Sequence, residues 1–470
     1  MDKEEFRRFG YEFVDWVADY MSEVADYPVM SQVKPGDTRE RLPSGPPIKG
    51  EPMEKIFEDF KKIILPGITH WQHPSWFAYF PANNSPPSIL AELLTAGMGA
   101  QCMIWQTSPA AAELEEVVLE WLRDMLGLPE GMAGVIQDTA STATLCALLT
   151  AREKATDFEA NLKGLKKRLI VYASEETHSS VEKGVKIAGY GKESLRYIPT
   201  DDSFAMIPSR LEEAIVRDRD EGLSPACVIA TLGTTSSTAI DPLDAIGKIS
   251  SKYGLWLHVD AAYAGTAALL PEKRAMLEGA EHIDSFVFNP HKWMLTNFDC
   301  SAYFVRDPGT LIRTFEIHPE YLKTGVDAQV KNFRDWGIQL GRRFRALKLW
   351  FVIRSYGVEG LQGMVSKHLR LAQTFKGWVE NHENFELLAP VNLSVVCFRL
   401  NHGGPEEDLD DLNQRFLESL NRTGKVFLTQ TMLKGRYAIR MAIGQGTTEE
   451  RHVKDAWDLI VEKAKEALKT

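Results

Sequence analysis

Between about Gly134 and Val305, short apolar runs alternate with amphipathic helical stretches, and this alternation limits the fold more than any other feature of the chain. The runs are Gly134–Gln137 (GVIQ), Arg168–Ser174 (RLIVYAS), Ala226–Gly233 (ACVIATLG), Leu255–Ala262 (LWLHVDAA), Ser285–Pro290 (SFVFNP) and Ser301–Val305 (SAYFV). Helices such as Thr142–Ala155 and Ser179–Gly189 separate them. Strands that are apolar on both faces and joined through helices form a largely parallel sheet covered on both sides. The expected class is therefore α/β, and ligands of such sheets bind at the carboxyl ends of the strands.

A chain of 470 residues exceeds one ordinary core. Three parts are expected: residues 1–85 as an N-terminal helical and dimerisation segment, 86–360 as the large domain, and 361–470 as a small α+β domain. The opening helix places Phe6, Phe9, Phe13, Val17, Tyr20 and Val24 on one face, built to dock on protein, either this subunit or a second copy. Lys34–Pro52 is a Pro- and Gly-rich connector leading to a helix over Met53–Ile64. After Tyr356, helices such as Val365–Asn381 mix with strands such as Ser394–Leu400 and Tyr437–Ile443.

Composition removes several functions. A formal charge of −11 argues against a nucleic-acid surface. The basic groups Lys166-Lys167-Arg168 and Arg342-Arg343-Phe344-Arg345 read as a solvated face and as structural ion pairs. Five scattered cysteines with no C-x-x-C pair indicate neither a disulfide framework nor zinc, and fit a reducing cytosol. His70 and His73 lack companion ligands, so no metal is expected. The acidic N-terminus does not read as a signal peptide, and the most apolar stretch, Leu93–Trp105, is short and broken by Gly97, Gly99 and Gln101.

The strand ends concentrate polar chemistry: Thr139-Ala140-Ser141-Thr142, Thr177-His178-Ser179, Gly233-Thr234-Thr235, Asp260-Ala261-Ala262-Tyr263 and Asn289-Pro290-His291-Lys292. Each matches a need of pyridoxal 5′-phosphate. A Ser/Thr turn opening a helix suits a phosphate. A carboxylate ending an apolar strand suits a protonated pyridine nitrogen, a flat His178 suits a ring face, and a lysine against an apolar wall suits a Schiff base. Singly, these residues read as well or better as a helix cap, a capping aspartate, a surface histidine and a snorkelling lysine.

Together with HVDAAYAG (His258–Gly265) and NPHKW (Asn289–Trp293), the pattern resembles the group II pyridoxal-phosphate decarboxylases, and most of all the aromatic-L-amino-acid decarboxylases. HPSWFAYFP (His73–Pro81), SPAAAELE (Ser108–Glu115), ETHSSVEK (Glu176–Lys183), LGTTSS (Leu232–Ser237) and LGRRFRALKLWFV (Leu340–Val352) extend the likeness over the whole chain in matching order. The resemblance implies fold type I, the aspartate aminotransferase-like architecture, as a homodimer with active sites at the subunit interface. It implies Lys292 as the Schiff-base lysine, Asp260 on the pyridinium and His178 on the ring. Ala140, Ser141, Asn289 and His291 hold the phosphate side, with Ala262 and Thr234 beside the cofactor. Tyr321 matches the mobile-loop tyrosine that donates the proton.

The same resemblance makes Trp71, Tyr79, Phe80, Pro81, Gln101, Met103, Trp105 and Gly341 substrate residues, with Gln101–Trp105 supplied across the interface. The implied activity is decarboxylation of an aromatic amino acid. Aromatic acetaldehyde synthases, which replace the tyrosine by phenylalanine or the histidine by asparagine, and acidic amino-acid decarboxylases are the alternatives. A non-catalytic relative would have lost Lys292 or Asp260, and a nicotinamide dehydrogenase would carry G-x-G-x-x-G after its first strand, where GYGKES at Gly189 instead follows a helix.

Overall fold

The structure is a computed structural model that describes residues 1–317, 325 and 329–469. Seven strands form the central sheet: β1 (Ala133–Gln137), β2 (Leu169–Ser174), β3 (Leu195–Ile198), β4 (Ser224–Thr231), β5 (Trp256–Asp260), β6 (Ser285–Phe288) and β7 (Ser301–Val305). Their order is β1-β7-β6-β5-β4-β2-β3. Pairs β3–β2, β2–β4, β4–β5 and β5–β6 are parallel, whereas β7 runs antiparallel to both β6 and β1. The reversal follows from the connection: between β6 and β7 lies only the one-turn helix Pro290–Trp293, not a crossover helix that could carry the chain back.

The expected α/β class and mostly parallel sheet are observed, and all six sequence-predicted strands form with shifts of a few residues. The additional strand β3 has a mixed pattern, with only its end residues buried, because it sits at the sheet edge. β2, β5, β6 and β7 are buried along their whole length. On one part of the sheet Val171, Ile229 and Trp256 pack with Leu148, Val181 and Val185 from the helices Ala140–Ala155 and Ser180–Ile187. On another, Val135, Val287, Tyr303 and Val305 pack with Ala143, Ala147 and Leu311. Each such aliphatic side chain contributes about 1.5–3 kcal/mol when fully buried, which fixes the strand register and thereby the positions of the strand ends.

The chain divides into two compact units. The sheet belongs to the unit of Ala82–Ala372 with Ala389–Val395; Ser394 enters it through a 2.5 Å hydrogen bond between its hydroxyl and that of Tyr263. The other unit joins Met1–Pro81 to Gln373–Leu388 and Val396–Thr470, so the N-terminal segment and the C-terminal α+β part fold together. The link is a backbone pairing: the Phe77 N–H donates to the Phe427 carbonyl at 3.0 Å, and the Phe77 carbonyl accepts from Ala442 N–H at 2.9 Å. The small sheet orders β8 (Phe385–Leu387), β9 (Val395–Leu400), β10 (Thr429–Leu433) and β11 (Arg436–Ala442) as β10-β11-β9-β8.

In this second unit the helix Lys3–Glu23 starts on a capping box formed by Asp2 and Glu5. Its aromatic face docks on its own subunit, with Phe13 against Phe57 at 4.6 Å between ring centres and Trp16 edge-on to Phe60 at 5.2 Å. Phe6, expected on the same face, and the neighbouring Tyr11 remain exposed.

Candidate active site

Parallel register sets the first layer of geometry. Thr231 of β4 lies beside Asp260 of β5, and Asp260 lies beside Val287 of β6. The residues that follow these positions therefore emerge side by side at one edge of the sheet. They are Gly233 and Thr234, Asp260 to Ala262, and Asn289 to Lys292.

Asp260 is 5% exposed, and its Oδ1 accepts from Ala262 N–H at 3.0 Å. Among the described residues no salt bridge reaches it. A buried carboxylate without a cationic partner is costly and calls for one. A protonated ring nitrogen would supply that partner.

His178 follows β2, and its ring orientation is set locally. Nδ1 accepts from the Ser180 backbone N–H at 3.2 Å and lies 2.8 Å from the Ser180 hydroxyl. With Nδ1 accepting, the proton sits on Nε2, as assigned from the hydrogen-bond network. The imidazole pKa is held below its ordinary value, chiefly by burial, with Lys292 and Lys183 adding to the shift and Asp260 opposing it. Asp260 and Lys292 thus both act electrostatically on His178. The histidine is neutral at physiological pH and has an N–H to offer.

The residues expected on the phosphate side divide. Ala140 and Ser141 begin the 16-residue helix Ala140–Ala155, whose N-cap Thr139 accepts from Thr142 N–H. Free N–H groups of a first turn suit an anion. His291 is buried, its Nδ1 accepts from Cys300 N–H at 2.9 Å, and burial above all, with Lys292 adding, pushes its pKa down to about 3. Asn289 is buried and accepts at Oδ1 from the Ser301 hydroxyl. Thr234 uses its hydroxyl inside its own loop, accepting from Ala239 N–H at 3.0 Å. That loop turns at Gly233 with φ +82°.

The expected substrate residues form two groups, each within one unit. Trp71 and Tyr79 stack at 5.9 Å between ring centres, and Phe80 and Pro81 beside them are buried. In the sheet unit, Gln101 Oε1 accepts from Arg342 N–H at 2.7 Å, which brings Gln101 against Gly341; a Cβ on Gly341 would lie 3.3 Å from Gln101 Nε2. The Met103 carbonyl accepts from Arg334 N–H at 2.8 Å, and Trp105 N–H donates to Asn332 Oδ1 at 3.0 Å. Tyr321 lies outside the described residues. His70 and His73 use ring nitrogens within the fold, toward the Tyr20 hydroxyl and the Ser75 N–H.

Sequence reading passed over Ser180, although its spacing of two from His178 is the local signal for the bond it makes. It also passed over Asp241, buried behind β4, whose carboxylate accepts from Thr231 and Met206 N–H groups, both at 2.7 Å, and shapes the loop that carries Thr234.

This donor set fits pyridoxal phosphate: an unpaired buried carboxylate, a neutral flat histidine, a helix N-terminus and a lysine at neighbouring strand ends. Comparison with known proteins agrees. The pyridoxal-dependent decarboxylase conserved domain matches residues 35–401. The chain is 45% identical to a phenylacetaldehyde synthase of Arabidopsis thaliana, over 99% of this chain and 96% of that one. It is 44% identical to tyrosine decarboxylase 4 of Petroselinum crispum, over 99% and 94%. Among solved structures, the Oryza sativa TDC with PLP and tryptamine superposes with a TM-score of 0.96 at 38% identity, covering 99% of both chains.

The chain belongs to the pyridoxal-dependent decarboxylase family. It is a pyridoxal-phosphate-dependent carboxy-lyase of fold type I.

Proposed function

We propose that this enzyme decarboxylates aromatic L-amino acids, of the tryptophan, tyrosine, phenylalanine or dihydroxyphenylalanine type, to the arylalkylamine and CO2. The observation that carries the reading is the joint position of Asp260, His178 and Lys292 in a chain similar along its length to tyrosine decarboxylase 4 and the rice TDC.

Bound pyridoxal phosphate supplies the electron sink that makes loss of a carboxylate feasible. The protein supplies the rest. Lys292 anchors the cofactor and Asp260 keeps its ring nitrogen protonated. Ala140, Ser141, Asn289 and His291 retain the phosphate side, with Thr234 and Ala262 alongside. Neutral His178 offers Nε2–H on the ring face, and Tyr321 delivers the proton to the α-carbon. Trp71, Tyr79, Phe80, Pro81, Gln101, Met103, Trp105 and Gly341 are the substrate-contacting set. Their largely aromatic and apolar character favours an aryl side chain over a second carboxylate.

The working form is a homodimer. The helix Pro86–Met98 leaves Leu90, Leu93, Leu94 and Met98 exposed along the sheet unit, and a patch of this kind is covered by a second copy. Five free, buried thiols fit a cytoplasmic setting, and among the described residues no helix is long and apolar enough to cross a membrane.

A second reading rests on the likeness to phenylacetaldehyde synthase: oxidative conversion of the same substrates to aldehyde, with oxygen consumed. The test is a substrate panel on cofactor-loaded protein, following CO2, amine, oxygen and peroxide together. Amine equal to CO2 without oxygen uptake is the expected result. Aldehyde and peroxide as main products would install the second reading.

A further inference from the structure

The turn after Lys292 is fastened by three short polar side chains of one segment. Asn83 Nδ2 donates to the Lys292 carbonyl at 2.7 Å, and the Ser85 hydroxyl donates to the Leu295 carbonyl at 2.7 Å. The Asn297 N–H donates to Ser88 Oγ at 2.8 Å, and Ser88 in turn donates to the Asn297 side-chain oxygen. Asn83, Ser85 and Ser88 are all buried. Three buried polar groups spent on six residues of backbone form a built device, because each would be costly if it lost its partner.

The turn needs holding. Leu295 has φ +53°, a left-handed conformation that a branched side chain adopts only when its surroundings impose it. Ser85 grips the carbonyl of that residue. Next to Lys292, Trp293 is locked by a 2.8 Å bond from Nε1 to His368 Nδ1 and by stacking on Tyr263 at 4.5 Å and 8°. The Lys292 backbone is thus tied directly through Asn83 and, one residue on, through its neighbour Trp293.

We infer that Asn83, Ser85 and Ser88 are positioning residues that fix the backbone of Lys292 so that its amine meets the cofactor. The inference rests on Lys292 as the cofactor-bearing lysine. None of the three side chains needs to touch cofactor or substrate. They act through the turn, as groups that hold a reacting atom within a fraction of an ångström do.

The test uses the full-length protein stripped of cofactor and titrated with pyridoxal phosphate, read by tryptophan fluorescence and by the visible Schiff-base band. Asn83→Ala and Ser85→Ala are expected to raise the dissociation constant about tenfold each, the effect of one lost buried hydrogen bond. When loaded they should lose kcat while KM for the amino acid stays within about twofold, since positioning and not substrate contact is removed. Ser85→Thr, which keeps the hydroxyl, should bind close to wild type. Unchanged binding and kcat in Asn83→Ala and Ser85→Ala, whatever their melting temperatures, would overturn the inference. Lys292→Ala separates it from the reading beneath it: loss of the visible band upholds Lys292 as the anchor, and persistence of the band removes the anchor and the positioning role together.

Discussion

Glu115 grips Arg342 through both carboxylate oxygens, at 2.6 and 3.1 Å, with the two side chains almost wholly buried. Arg342 also donates to the Ile136 carbonyl at 2.9 Å and lies over the ring of Phe333 at 4.7 Å. Its backbone N–H holds Gln101. One ion pair therefore ties β1 to the segment that carries Met103 and Trp105. Glu115→Gln leaves a buried guanidinium with a neutral partner and should cost about 3 kcal/mol. Glu116→Gln, which loses a more exposed 2.8 Å pair with Lys331, should cost less than about 1 kcal/mol. Urea midpoints of the two variants give the comparison.

Gly233 and Gly10 should respond to alanine in opposite directions. Gly233 has φ +82°, and a Cβ there would stand 2.6 Å from the Cβ of Ala264. Gly233→Ala is expected to destabilise by about 2 kcal/mol and to weaken cofactor retention, because the strain falls in the loop of Thr234. Gly10 lies inside the helix Lys3–Glu23 with nothing within 4 Å of the added carbon. Gly10→Ala should stabilise by about 0.5–1 kcal/mol. Thermal unfolding reads both.

Asp260→Asn divides stability from function. The cofactor-free variant should be at least as stable as wild type, since a buried carboxylate with no salt bridge among the described residues is replaced by a neutral amide. Decarboxylation of the loaded variant should fall at least about 100-fold, the scale of losing one preorganised electrostatic contact. A strongly destabilised cofactor-free variant with normal activity would contradict both halves.

Acid should weaken the fold through its buried histidines. Burial pushes the pKa of His73 and His258 down to about 4 and that of His291 to about 3, from 6.5. Below pH 6.5 the unfolded chain binds more protons than the native one at these sites, so their stability is complete above that pH and lost as pH falls toward 4. Asp241 works the other way: burial raises its pKa from 3.8 to about 6, so acidification through that range favours the native state. His70 and His178, also held below the ordinary value by burial, act with the other histidines against Asp241. Unfolding free energy of the cofactor-free protein should fall on the order of 3 kcal/mol between about pH 7.5 and about pH 5.

The sheet was legible because its signal is local. Apolar runs such as LIVYAS and LWLHV declare buried strands, and His178, Asp260 and Lys292 are polar residues read at or just beyond strand ends, their proposed roles resting on the family resemblance. β3 escaped because an edge strand of four residues with an exposed interior lacks the apolar continuity that marks its neighbours. The pairing of Phe77 with Phe427 and Ala442 escaped for a different reason: backbone hydrogen bonds between residues some hundreds of positions apart leave no trace in either segment. Asn83, Ser85 and Ser88 were silent likewise, since short polar residues before a helix read first as turn and cap.

We propose that Lys292 holds pyridoxal phosphate at the carboxyl ends of β4, β5 and β6. Borohydride reduction of the loaded protein, followed by proteolysis and mass mapping, tests it most directly. One pyridoxyl adduct per chain is expected, on the peptide containing Asn289 to Trp293 and on Lys292 itself. An adduct on another lysine, with Lys292 unmodified, would contradict it.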